Sequence, residues 1–183
     1  MPLFNPSSGA VTLIEQYIVP SGGVASKVFS TGLSAYKSLR LEVMARSEKV
    51  AVFSNIGVRF NGDTGTNYSR HTTVVNNATV TSSAVITQNH ILQIGCPAAS
   101  SPANAFCHAN VAIPAPNSTA MQKRAMCLNS TRNTDAAADQ NTGRLSGEWR
   151  NTAAITSITV YEFDEVGGQD ITEGSIIRLW GMT

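Results

Sequence analysis

Oxygen-bearing side chains at alternate positions single out one segment, FNGDTGTNY, from Phe60 to Tyr68. Asn61, Asp63 and Asn67, with Thr64 and Thr66 between them, make half of a calcium-binding loop. A working loop wants more carboxylates and a bidentate Glu near its end, whereas here only Asp63 is charged. A structural reading fits the same residues better. Gly62 and Gly65 can take positive φ, and Asn and Asp side chains bond their own backbone to build a tight reversal. Phe60, Asn61, Gly62, Asp63, Gly65, Asn67 and Tyr68 are therefore expected to form a turn and to hold no metal.

The remaining reactive residues do not converge. His71, His90 and His108 fall on three different predicted elements. Cys107 and His108 are neighbours, so on a strand they face opposite ways and cannot chelate one ion together. There is no G-x-S-x-G elbow, H-E-x-x-H pair or P-loop. The acidic residues Glu162, Asp164 and Glu165 gather beside a predicted strand end. Glycoside hydrolysis needs two carboxylates facing across a cleft, and such a grouping reads instead as solvated. The expectation is a chain with no catalytic residues and no cofactor.

Three aromatics are candidates for partner contact. Trp149 and Trp180 could line a sugar-binding face, but both sit in or beside predicted strands, where core or subunit-contact roles are commoner. Phe4 lies in a Pro- and Ser-rich leader, and an aromatic there could anchor that arm on a neighbour.

Strands carry these residues. Leu39, Leu41, Val43 and Ala45 share one parity while Ser38, Arg40, Glu42 and Arg46 share the other; Ile56, Val58 and Phe60 then alternate with Asn55, Arg59 and Asn61. This period of two describes a sheet packed on one side and wet on the other. Further strands are expected at 10–19, 24–30, 68–75, 90–96, 105–113, 154–163 and 175–180. Residues 121–128 fit a strand or a short helix, and 76–88 gives a weak signal. Residues 129–143 read as the longest loop, with a helical turn at 135–138. The expected fold is all-β: an antiparallel β-sandwich, jelly-roll-like, of about eight to ten strands. Residues 1–9 form an extended arm and 10–183 a single domain.

Bulk properties narrow the function. The 183 residues are 42% hydrophobic, enough for one real core. Only 14% are charged, against about 25% in an average soluble domain, which suits a protein that lives in an assembly. A net charge of +1 gives no electrostatic case for nucleic acid, and the Lys123-Arg124 pair reads as a solvated strand face. No apolar run approaches the roughly 20 residues of a membrane span, and the opening MPLFNPSSGAV lacks the pattern of a secretory signal. Without such a signal, the N-x-[ST] triplets at Asn67, Asn77, Asn117 and Asn129 are not read as glycosylation sites. Cys96, Cys107 and Cys127 are expected to be free thiols packed as small hydrophobes.

Several segments together resemble a class of tailed-bacteriophage virion proteins. They are VFSTGLSAYKSLRLEV (28–43), Arg46-Ser47, FNGDTGTNYS (60–69), GEWRNTAAITSI (147–158) and GSIIRLWG (174–181). The likeness covers about 60% of the chain, by our estimate, and departs from the class pattern between 76 and 105. It implies a jelly-roll domain that performs no chemistry: a capsid cement or decoration protein in the virion, assembled in the bacterial cytoplasm. Its partners would be the major capsid protein and further copies of itself, as a trimer. The alternative it implies is a tail fibre or tail-tip component that recognises a host receptor or glycan.

Overall fold

The computed structural model describes residues 10–76, 79–134, 140–163 and 169–183, and the leading arm with Phe4 lies outside them. They form twelve strands: β1 (Val11–Ile18), β2 (Ser26–Phe29), β3 (Ser38–Met44), β4 (Phe53–Phe60), β5 (Tyr68–Asn76), β6 (Thr79–Gln88), β7 (Leu92–Pro97), β8 (His108–Pro114), β9 (Lys123–Arg132), β10 (Gln140–Trp149), β11 (Ile158–Glu162) and β12 (Ile176–Met182). One sheet has eight strands in the order β1-β12-β3-β8-β9-β10-β5-β6; the other has four, β2-β11-β4-β7.

Pairing is antiparallel throughout and nested. β1 pairs with β12, β2 with β11, β3 with β8 and β4 with β7. β12 then joins β3, and β11 joins β4. A long hairpin rolled up this way is a jelly roll. The other four strands are two inserted hairpins. β5 and β6 lie between β4 and β7, β9 and β10 between β8 and β11, and both widen the larger sheet beyond β8.

The alternation at 38–60 positions the core. Leu39, Leu41, Val43, Ile56, Val58 and Phe60 are fully buried between the sheets, each stabilising the fold by about 1.5–3 kcal/mol relative to exposure. Cys96, Cys107 and Cys127 form no disulfide and are buried among them. Burial pushes the Cys107 and Cys127 thiols up to about 12, so they sit as apolar filler.

Two expectations need correction, the strand number and the loop at 129–143, and two open readings are resolved. The strands number twelve among the described residues, not eight to ten. The weak signal at 76–88 is β6, whose exposed faces leave no hydrophobic alternation to read. Residues 121–128 take the strand alternative, within β9. The long loop at 129–143 is instead mostly the paired ends of β9 and β10, while the supposed helical turn at 135–138 lies outside the described residues. There the inward positions are Asn129, Thr131, Asn141 and Gly143, so strand periodicity was written in polar residues.

Candidate functional site

The 61–67 turn is a structural knot. Asn61 (φ 53°) and Gly62 (φ 64°) turn the chain out of β4. The Asn61 side chain reaches the 154–157 segment, donating to the Ala154 carbonyl at 2.8 Å and accepting from the Thr156 amide at 2.7 Å. Asp63 uses both carboxylate oxygens internally. Oδ1 accepts from the Gly65 amide at 2.8 Å, while Oδ2 accepts from Asn67 Nδ2 at 2.9 Å and Trp149 Nε1 at 2.7 Å. Partial burial pulls the Asp63 carboxyl upward, but those three donors outweigh it and hold the group below its ordinary value.

Gly65 differs from expectation in mechanism, because it is not among the positive-φ glycines. A side chain there would lie 2.9 Å from Asn67 Nδ2 and 3.1 Å from Asp63 Oδ1, so it would press on the ends of the two side chains that tie the turn and would not strain the backbone. Tyr68 closes the turn: its hydroxyl donates toward the Phe60 carbonyl at 3.2 Å, and burial raises its pKa. Trp149 packs edge-on to Phe60 and stacks with Tyr68, at centroid distances of 5.9 and 6.2 Å. Arg150 fastens the outside, donating to the carbonyls of Thr66 at 2.7 Å and Ile86 at 2.5 Å. The 60–69 and 147–158 segments are thus two halves of one cluster. Both Asp63 oxygens serve to tie the turn together.

Trp149 is therefore a core residue, 1% exposed, which corrects its candidacy as a partner contact. Trp180 is half-buried on the outer face of the larger sheet, level with Arg40 of β3 and Leu13 of β1. Lys123 also departs from expectation. It is buried and donates to the carbonyls of Met121 and Thr152 at 3.0 and 3.1 Å, while Arg124 alone is solvated and pairs with Glu148. Glu162 is buried too, accepting from Ser47 Oγ at 2.8 Å and Ser54 Oγ at 2.5 Å; Asp164 and Glu165 lie outside the described residues. The histidines stay apart. His71 meets Ser82, His108 meets Glu42 at 3.4 Å, and His90 is buried against Phe163. No group of three or more His, Cys, Asp or Glu side chains lies together among the described residues.

Two features carried no clear signal in the sequence. Arg46, at the end of β3, fans its guanidinium across the carbonyls of Ala99, Ser101, Pro102 and Ala105 and thereby shapes that loop. The outer face of the larger sheet is apolar in places. Met126, Ala112, Met182 and Ile86 border a groove of about 590 Å³. Beside it β6, TVTSSAVITQ, ends the sheet with no charged residue, proline or glycine. No helix among the described residues is long and apolar enough to cross a membrane.

No protein-family model matches the chain. No curated protein matches it either. Among solved structures, a Bacteroides vulgatus protein provisionally described as a pore-forming toxin is 12% identical, with a TM-score of 0.09. The match covers 91% of this chain and 58% of that one, and a likeness this small carries no argument about fold or role.

Proposed function

We propose that this chain is a non-enzymatic structural protein of a tailed-phage virion, a capsid cement or decoration protein. It binds neighbouring capsid subunits and associates with copies of itself, as a trimer. The observation that carries this reading is the β6 side of the larger sheet. Natural edge strands are usually blunted by Lys, Pro or a covering segment, because unpaired N–H and C=O groups invite pairing. β6 has ten residues and none of those blunting residue types, and it borders an apolar groove with Met126 and Ile86 60% and 70% exposed. A surface of that kind suits a protein that is covered in its working state. The sequence likeness to phage virion proteins points the same way, and the 60–69 and 147–158 segments that carry it build one cluster.

Particle imaging with a label on this chain tests the location. Label over the shell supports the cement role; label on the tail replaces it with the tail-tip alternative. The arm is tested separately. Deleting residues 1–9 should weaken binding to capsids while leaving the sandwich folded, and normal capsid binding by the truncated chain would refute the arm's role as a clamp.

A further inference from the structure

The eight-stranded sheet is wider than the four-stranded sheet that covers it. β7 is the last strand of the cover, so the inner faces of β10 and β5 run out beyond it and leave a cleft of about 430 Å³. Phe53, Gln93, Arg70, Thr72, Asn129 and Asn141 are among the residues that line it. Four buried polar atoms on its walls have no hydrogen-bond partner: Arg70 Nε, Thr72 Oγ1, Asn129 Oδ1 and Asn141 Oδ1. The two asparagines are only 7% and 9% exposed. Asn129 donates its Nδ2 to the Gly95 carbonyl at 3.0 Å, which fixes the amide's orientation and leaves its oxygen open.

Single orphaned atoms occur in most proteins, but four on one cleft call for an occupant. Their chemistry says which kind. The two amide oxygens need donors, the guanidinium nitrogen needs an acceptor, and the threonine hydroxyl takes either. A phosphate or carboxylate would serve Arg70 and leave both asparagines unmet. A metal ion would meet the amide oxygens, but beside a cation and with no carboxylate among the six residues named. Hydroxyl groups do both jobs. Phe53, 40% exposed, offers an apolar ring face against Gly95, where an added Cβ would lie 2.8 Å from that ring. The volume falls in the small-ligand range of about 300–1,000 Å³.

We propose that the cleft between β7 and the β10–β5 face binds a saccharide of two or more rings, with a C–H face resting on Phe53. The hydroxyls of one ring meet Asn129 and Asn141; those of another meet Thr72 and Arg70, which lie about 13–20 Å from Asn141 along β10 in register. This holds whether the chain sits on shell or tail, so it stands or falls separately from the role proposed above.

The test is an amide-resolved NMR titration of the full chain with hexoses, N-acetylhexosamines, hexuronates and their disaccharides at millimolar concentration. At least one sugar should shift the Thr72, Asn141 and Gly143 signals saturably. Gly143 faces the cleft with only ordinary contacts around a built Cβ, the nearest at 3.4 Å, so Gly143→Leu should fill the space and abolish the shifts. Asn141→Leu should weaken binding about tenfold, the equivalent of one good hydrogen bond. It should leave the melting temperature unchanged or higher, since the free protein loses only an unpartnered acceptor. If Gly143→Leu does not fold, Asn141→Leu decides alone. The proposal is overturned if no sugar shifts these signals, if binding is undiminished in the folded variants, or if glycerol alone saturates the site equally well.

Discussion

Asp63→Ala should cost about 2 kcal/mol of stability, nearly all of it through Trp149. The carboxylate accepts three hydrogen bonds, but the donors differ in what they lose. Gly65 and Asn67 are exposed and re-bond to water once Asp63 is gone. The indole is 1% exposed and its Nε1 is 2.7 Å from Oδ2, so it is left a buried, unpaired donor at about 1–3 kcal/mol. Urea unfolding followed by far-UV circular dichroism would read this as a midpoint lowered by roughly 1 M, for a slope of about 2 kcal/mol per molar. A double-mutant cycle isolates the cause. In a Trp149→Phe background the donor is absent, and Asp63→Ala should cost less than about 1 kcal/mol. The pH dependence has a definite sign. Because the folded carboxyl titrates below its ordinary 3.8, its contribution is complete above that value and disappears as pH falls through the folded value. The reasoning fails if Asp63→Ala changes stability by less than about 0.5 kcal/mol, or if the two substitutions are additive.

Three further outcomes follow from the packing. Arg46→Lys cannot span four carbonyls with one ammonium, and it should cost about 2–4 kcal/mol, with amide exchange accelerating first in residues 98–106. Gly147→Ala places a Cβ 2.1 Å from the Ile91 carbonyl oxygen and should cost about 3 kcal/mol by overpacking. Gly143→Ala, on the same strand and face, should be close to neutral, and equal melting temperatures for the two alanine variants would contradict this account. His90 is held down to about 4 from 6.5, by burial first and then by the charges of Arg70 and Arg59. The unfolded chain therefore binds the extra proton between those values, and acidification from 6.5 to 4 should remove up to about 3 kcal/mol. His90→Gln should flatten that part of the stability–pH curve.

The sandwich was legible wherever hydrophobicity reported burial. Leu39, Leu41 and Val43 announce an inner face because everything opposite them is apolar, and the flanking Ser, Arg and Glu announce the outer one. The same logic failed for β6, β9 and β10. β6 buries neither face, and the far ends of β9 and β10 turn Asn129, Thr131 and Asn141 inward over a cleft with no opposing sheet. Polarity at inward positions looks like a loop when only apolar residues are counted as a face. The alternation Lys123, Ala125, Cys127, Asn129, Thr131 was present throughout, and burial of the Lys123 stem was the missing clue. The turn at 61–67 was recognisable from its Asn, Gly and Asp residues. Its tie to Trp149 was not, because those residues lie more than eighty positions apart and nothing local encodes their meeting.

Nested pairing also governs the order in which the molecule can be completed. Val11 of β1 lies opposite Met182 of β12, so the outermost ribbon cannot zip until β12 itself has left the ribosome. Partners this distant in sequence slow folding. Meanwhile the inserted hairpins, whose strands are neighbours along the chain, can form early and wait. During that interval an uncharged β6 is already presented to any other newly made strand nearby. Brief synthesis at low temperature, or fusion to a highly charged carrier, should therefore raise the yield of properly closed protein more than any substitution in the core.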